Sequence, residues 1–314
     1  MLAAEDNHVV AALRASRSHR GHRIDRSGGL TSTLSLGSVL RVNAKVALNL
    51  ACVTVLGLLA LGLGPNLPAP DARIFWEVRL PGAYTEGGTI YHFVYNYSPA
   101  FAWWIGPLQV LDFGTFTTLV VMAQLFALAY LVTPPIALVL IAAQVPPIWF
   151  NATGGNLDFI AAAVFALALS RPALWGTLLL SKATPGVGLA WHLFRRDWRS
   201  VGTALAVTLA LAIPSIILFP GEWAIWAEHM LTNARVDSDG RMPFVIRLTF
   251  ALGLIAYAAR TDRIYLVPIA AALLGHTQSM GWIIALAAIP VWRSRLRSHE
   301  TAGKESGIGS PTTV

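Results

Sequence analysis

The chain has 314 residues, of which 55% are hydrophobic and 12% charged, and its mean hydropathy is +0.58. Soluble domains carry about 25% charged residues, so this composition excludes a water-soluble globular protein and indicates a polytopic membrane protein. The net charge of +7 does not indicate a nucleic-acid partner, because Lys and Arg in a membrane protein mostly report orientation. The single cysteine, Cys52, excludes an intramolecular disulfide.

The first elements follow in chain order from the apolar runs. Residues 1–41 hold six arginines among Ser, Gly and His, which predicts a disordered basic tail. The run 42–64 is the first predicted membrane span. A polar interval rich in aromatic residues follows at 71–99, and such a long loop is typical of a functional segment. Residues 100–111 are apolar but short and Trp-rich, which predicts an interfacial helix, and 115–132 is the second predicted span.

The middle of the chain allows two interpretations. Breaks at "VPPIWFNATGGNLD", "SRP" and "SKATPG" favour two hairpins of short buried helices over 135–194. The alternative is one ordinary span over 173–194. The remaining predicted elements are spans at about 200–219, 244–259, 263–275 and 281–292, a loop at 220–243, and a disordered cytoplasmic tail at 298–314. The segment 42–297 is then one transmembrane domain.

The distribution of positive charge favours the two hairpins. With them the chain has about ten membrane segments and both termini in the cytoplasm, and 17 of the 23 Lys and Arg residues are cytoplasmic. If 173–194 crosses once, the two sides carry equal numbers and Lys182 stays inside the membrane, where an ammonium is costly. The positive-inside rule therefore places Lys182 at an extracytoplasmic break.

Under this topology the unusual polar residues gather outside, beside the long first extracytoplasmic loop. Each also has an ordinary structural explanation. Asp71 could cap a short helix, Asp158 could complement a helix dipole, and Lys182 could extend its ammonium to the headgroups. His276 could be a polar loop residue. No metal-binding motif or phosphate loop is present in the sequence, so neither a metal nor a cofactor is predicted.

The order of several segments resembles glycosyltransferase family 87, the polyprenyl-phosphate-mannose-dependent mannosyltransferases of the GT-C fold. The segments, spread over about 43–220, are "YNYSPAFAWWIGPL", "GGNLDFIAAAVFALAL" and "LLLSKATPGVGLAWHLFRRDWRS". An Asp just after the first span, here Asp71, belongs to the same pattern. Ala100 stands where relatives carry a second proline.

The resemblance implies a GT-C-like all-α bundle in the cell membrane with an extracytoplasmic active site. It implies a polyprenyl-phosphate-linked hexose donor, mannose first, and a glycolipid or glycan acceptor. Asp71 would be the general base. The candidates for binding the leaving phosphate at headgroup depth are Lys182, His276 and Arg73. The candidates for a substrate groove are Tyr95, Tyr97, Asn156 and Asp158.

Two other functions stay open from the sequence. A transporter or lipid flippase would use Lys182 and Asp158 as a translocation pair. Against it, the chain has no internal repeat and its polar residues gather on one side. A non-catalytic subunit with a glycosyltransferase-like fold would explain the departure at Ala100.

Overall fold

A computed structural model describes residues 36–84, 97–182, 184–236, 242–274 and 281–306, and these parts of the chain contain helices but no strand. The described residues from Val46 onward belong to one compact unit. Within the described ranges the α-helices are α1 (Leu36–Leu63), α2 (Pro70–Glu77), α3 (Pro99–Ile105), α4 (Phe113–Val132), α5 (Pro134–Ala142), α6 (Pro146–Gly154), α7 (Asp158–Ala168), α8 (Trp175–Ser181), α9 (Ala190–Phe194), α10 (Trp198–Leu218), α11 (Pro220–Val236), α12 (Phe244–Thr261), α13 (Leu266–Ala272) and α14 (Ala288–Ser306). The 3-10 helices are Gly64–Asn66, Gly106–Val110, Pro172–Leu174, Thr184–Leu189 and Gly281–Ala287.

Among the described residues, four segments are long and apolar enough to cross a membrane, which confirms a helical membrane protein. They agree with the spans predicted near 42–64, 115–132, 200–219 and 244–259, and they are Asn43–Asn66, Phe113–Val132, Trp198–Leu218 and Phe244–Thr261. A fifth is possible if α5 and α6, bent by 96° at their junction, count as one broken span.

The predicted spans at 263–275 and 281–292 are shorter and less regular in the structure. The first contains only the seven-residue helix α13, and the second begins as a 3-10 helix that continues into α14. Val267 and Ala270 are fully buried, so α13 packs against protein, where a short helix needs no lipid-length span. Helix α14 continues to Ser306, past the point at which the C-terminal tail was predicted to begin.

The predicted loop at 220–243 is wrong in its first two thirds, because 220–236 form helix α11. Pro220 occupies the first helical turn, where its missing N–H costs no hydrogen bond. Ala, Glu, Met and Leu in this segment are good helix formers. The segment was predicted to be a loop because its charged residues interrupt the apolar periodicity that identifies a helix in sequence.

The region 134–194 consists of short helices, and it is not continuous through Lys182. Helix α8 ends at Ser181, and the 3-10 helix that follows folds back so that Gly186 lies against Leu179. Helices α7 and α8 contribute the largest buried side chains of the core, among them Phe159, Phe165 and Trp175.

A buried amide connects two of these helices. Gln124 in the middle of α4 is fully buried, and its side-chain oxygen accepts the backbone N–H of Ile160 at 3.3 Å. That N–H belongs to the first turn of α7, so it has no partner within its own helix. Gln124 therefore supplies the hydrogen bond that the start of α7 lacks.

Three charged residues from distant parts of the chain form a second set of contacts, which we call the arginine–aspartate group. Arg195 and Arg295 both donate to the carboxylate of Asp262, at 2.6 and 2.8 Å. The hydrogen bond from Arg195 is the main cause that holds the pKa of Asp262 below its usual value. These residues border a cavity of about 340 Å³, together with His192 and Asp197.

Candidate active site

Asp71 lies in the first turn of α2, two residues after a residue with a strained backbone. Ala69 precedes the helix in the left-handed conformation, with φ 33° and ψ 66°, which costs a non-glycine residue ~1–2 kcal/mol. Ala69 and not Asp71 occupies the capping position, and it provides no side-chain cap. The carboxylate of Asp71 instead interacts with Asn156 and Lys182. Asp71 is therefore not the cap of its helix.

Gly155 allows the turn between α6 and α7 to approach α2. Its φ is +75°, and a Cβ there would lie 2.5 Å from the Cβ of Ala72. Any side chain at this position would separate the two segments. Because the turn fits closely, the next residue, Asn156, hydrogen-bonds to the carboxylate of Asp71.

Lys182 completes a cluster at the end of α8. Its ammonium forms an ion pair with Asp158 and donates to the side-chain oxygen of Asn156 at 3.1 Å. The other carboxylate oxygen of Asp158 accepts the side-chain amide of Asn151 at 2.9 Å. The Asp158 side chain is 3% exposed, and that of Lys182 is 26% exposed. We call Asp71, Asn151, Asn156, Asp158 and Lys182 the carboxylate–lysine cluster.

An aromatic wall lies beside this cluster. The ring of Tyr97 packs edge-on against Phe75 at 4.9 Å and stacks on Phe101. Burial and the neighbouring carboxylates raise the pKa of Tyr97 well above its usual value, so this phenol stays protonated. The adjacent Ser98 donates its hydroxyl to the carbonyl of Leu180, which fixes the wall to the end of α8.

The electrostatic balance of the cluster favours a basic Asp71. Burial is the main cause that raises the pKa of Asp71. The charge of Asp158 adds to this, whereas Lys182 and the hydrogen bond from Asn156 oppose it. Two carboxylates share one ammonium, so the second carboxylate has no cation of its own. A carboxyl group with a raised pKa accepts a proton more readily near neutral pH.

Among the described candidates, Arg73 forms no hydrogen bond or ion pair with the cluster. The guanidinium of Arg73 lies 4.4 Å from the ring centre of Phe113 and forms an ion pair with Glu77 at 3.3 Å. Tyr95 and His276 lie outside the described residues. Within the described part of the chain, no group of three or more His, Cys, Asp and Glu residues is arranged to hold a metal.

Sequence reasoning missed Asn151 as a member of the site. It belongs to the tripeptide "NAT", which resembles a glycosylation sequon, and only its position in an apolar run indicates burial. It is 1% exposed and holds Asp158 from the side opposite Lys182. A polar side chain in an apolar helix is the signal that could have identified it.

These features define a class of protein: an integral membrane protein with a buried carboxylate–lysine cluster next to an aromatic wall. Residues 95–306 match the model of glycosyltransferase family 87. The match spans more than half of the chain, so the chain belongs to this family and is a membrane glycosyltransferase that acts on a sugar donor and an acceptor. Family membership, predicted from the three sequence segments, is thereby confirmed.

The matched region includes every member of the cluster except Asp71, which precedes it. No curated protein and no solved structure matches the chain.

Proposed function

We propose that this protein transfers a hexose, mannose in the first instance, from a polyprenyl-phosphate donor to a glycolipid or glycan acceptor. The observation that carries the proposal is the convergence of Asp71 and Lys182 on Asn156. A proton acceptor and a cation, held by one shared residue, are the two groups that direct displacement at a sugar phosphate requires.

The proposed reaction is a direct displacement at C1 of the donor sugar. The acceptor hydroxyl gives its proton to the Asp71 carboxylate while its oxygen attacks C1 of the donor sugar. The bond between C1 and the phosphate oxygen breaks, and polyprenyl phosphate leaves with the electron pair. Asp71 is therefore the base, and a cation near the phosphate stabilises the charge that develops on the leaving group.

The hydrogen-bond inventory of Lys182 supports its role at the phosphate. An ammonium has three N–H donors, and two of them are used by Asp158 and Asn156. The side chain is still 26% exposed, which leaves a donor for a phosphate oxygen. Arg73 and His276 are proposed as additional cations, and Arg73 is one turn from Glu77 in a partly exposed ion pair.

We also propose that the cluster is extracytoplasmic, in a protein of ten membrane segments with cytoplasmic termini. Two sets of contacts support this. Asp71 follows the first span and interacts with Asn156, just after α6, and with Lys182, just after α8. The arginine–aspartate group instead connects the segments that follow α9 and α12 with helix α14. The arginine-rich side is the one that the positive-inside rule assigns to the cytoplasm.

Cysteine labelling tests the topology. In a Cys52→Ser background, an impermeant maleimide should label Gly221→Cys from outside intact cells and Arg196→Cys only after the membrane is opened. Both positions are exposed. Labelling of both from the same side would exclude the ten-segment arrangement.

Asp71→Asn tests the proposed chemistry, because it keeps the size of the side chain and removes the base. With labelled polyprenyl-phosphate-mannose, we expect ~10²–10⁴-fold slower transfer and unchanged donor binding. Asp112→Asn is the matched control, since Asp112 is an exposed helix cap and Asn also caps helices. Transfer by Asp71→Asn within a few-fold of the unmodified protein would show that Asp71 is not the base.

A further inference from the structure

Glu222 is a buried carboxylate that the proposed reaction does not use. It lies in the first turn of α11 and is 7% exposed. One oxygen, Oε1, accepts the backbone N–H of Gly82 at 2.5 Å. The other, Oε2, is buried and has no hydrogen-bond partner in the part of the chain that the structure describes. Buried polar atoms nearly always have a partner, so this oxygen is available to a hydrogen-bond donor from a ligand or from ordered water.

Trp226 presents the complementary unpaired group one turn later. Its indole N–H is buried and, among the described residues, has no acceptor. Residues four apart on a helix lie on the same face, so Glu222 and Trp226 project from the same side of α11. The ring of Trp223 packs edge-on against that of Trp226, with 5.4 Å between the ring centres. The indole N–H of Trp223 donates to the hydroxyl oxygen of Ser215.

This combination of groups matches the chemistry of a sugar ring. A carboxylate oxygen accepts a hydroxyl proton, and an indole N–H donates to a hydroxyl or ring oxygen. A sugar carries both kinds of group, and its C–H face can pack against indole rings, which present a large apolar surface with one polar atom. A water molecule could satisfy either polar group, but it would leave the aromatic surface without a partner.

The same groups are connected to the carboxylate–lysine cluster through one short segment. Gly82 binds Glu222, and Tyr84 donates its hydroxyl to the carbonyl of Tyr97 at 2.5 Å. Tyr97 in turn lies close enough to Asp71 for the two to interact electrostatically. Glu222 therefore lies next to the aromatic wall that borders the proposed base.

We propose that Glu222, Trp223 and Trp226 form a subsite that binds a sugar ring of the acceptor. The inference rests on the proposed function, and it assigns the residues that recognise the sugar already present on the glycolipid or glycan acceptor. The subsite holds that ring, and the proposed base acts on one of the acceptor's hydroxyls.

Binding without donor tests the subsite directly. The full chain is purified in a detergent without a sugar headgroup, and octyl α-D-mannopyranoside is titrated while binding is followed by saturation-transfer NMR. A hydrogen bond to a charged group increases binding affinity by about 10- to 100-fold. Glu222→Gln should therefore weaken binding of the glycoside by that factor. Trp226→Phe keeps an aromatic ring and loses the N–H, so about 2- to 10-fold weaker binding is expected.

Glu228→Gln is the matched control, because it makes the same charge change on an exposed position of the same helix. It should bind the glycoside like the unmodified protein. If Glu222→Gln does not fold, as judged by its thermal transition, Trp226→Phe decides the question alone. Unchanged binding in the folded variants, or binding of a Ser/Thr-containing peptide in place of the glycoside, overturns the subsite.

Turnover separates this inference from the proposed function. With polyprenyl-phosphate-mannose as donor, Glu222→Gln should raise the acceptor KM and leave the donor KM and kcat unchanged. If the glycoside binds in a Glu222-dependent way but Asp71→Asn still transfers sugar, the assignment of the base fails and the subsite stands. If Asp71→Asn abolishes transfer but the glycoside does not bind, the subsite fails and the assignment of Asp71 as the base stands.

Discussion

The carboxylate–lysine cluster and the arginine–aspartate group both pair aspartate with cationic side chains, but one is buried and the other is exposed. In the first, Asp158 is 3% exposed and Lys182 is its ion-pair partner. In the second, Asp262 is 62% exposed and is shared by two arginines. The first group has more carboxylates than cations, and the second has more cations than carboxylates.

Burial and the local balance of carboxylates and cations together set the proton affinity of the two aspartates. Burial raises the pKa of Asp71, whereas the hydrogen bond from Arg195 lowers that of Asp262. A carboxylate surrounded by arginines and water is a weak proton acceptor. A buried carboxylate that has to share one ammonium is a stronger one, which suits it to catalysis.

The largest effect is expected from breaking the buried ion pair. Lys182→Ala removes a cation from the proposed phosphate site, and loss of such a group typically costs ~10²–10³-fold in rate. It also leaves Asp158 buried without its cation, which costs ~3–5 kcal/mol of folding free energy. Transfer assays and the thermal transition in detergent measure the two losses separately.

A double variant separates these effects. Lys182→Met with Asp158→Asn removes both charges, so it should recover most of the stability while transfer stays low. Recovery of transfer together with stability would mean that Lys182 serves only the fold.

The second prediction concerns pH. Because the pKa of Asp71 is raised, kcat/KM should fall about tenfold per pH unit below that pKa. A raised folded-state pKa also means that the stability contributed by Asp71 is fully present below its ordinary value of 3.8 and is lost as pH rises through the folded-state value. Asp71→Asn should therefore raise the thermal transition temperature at pH 7 more than at pH 4. An equal effect at both pH values would contradict the raised pKa.

A third prediction tests the close approach that brings Asn156 to Asp71. Gly155→Ala places a Cβ against Ala72 at a positive φ, so we expect ~1–3 kcal/mol lower stability and reduced transfer. Gly253→Ala, where an added Cβ meets nothing within 4 Å, is the control. In the interior of α12 it should leave the protein equally stable or up to ~1 kcal/mol more stable.

The smallest effect belongs to the exposed group. Asp262→Asn should cost no more than ~1 kcal/mol and leave transfer unchanged, because solvent-exposed ion pairs contribute little. Raising the salt concentration should reduce even this difference. A loss of transfer comparable to that of Lys182→Ala would remove the contrast between the two groups.

The long apolar runs made the main spans predictable from sequence, since length and hydropathy alone identify them. Asp71, Asn156, Asp158 and Lys182 were also found from sequence, and the structure brings them together. Their individual roles remain proposals.

What could not be predicted depends on contacts between distant segments. The charges of α11 obscured its helical character, and the partner of Asp158 on the far side, Asn151, follows only from how α6 and α7 meet. The ion pair of Lys182 likewise depends on the bend at Gly155 and the end of α8. A hydropathy profile describes each segment separately, so it cannot predict contacts between segments that are distant in the chain.

The buried amide of Gln124 has a consequence for the order of assembly. An N–H at the start of a helix that finds no partner in hydrocarbon costs several kcal/mol, so α7 is incomplete without the oxygen that α4 supplies. Since Gln124 precedes Ile160 by 36 residues, that oxygen is synthesised first and is already available when α7 leaves the ribosome. The earlier helix α4 thus fixes the start of α7, which begins with Asp158 and follows directly on the turn that carries Asn156.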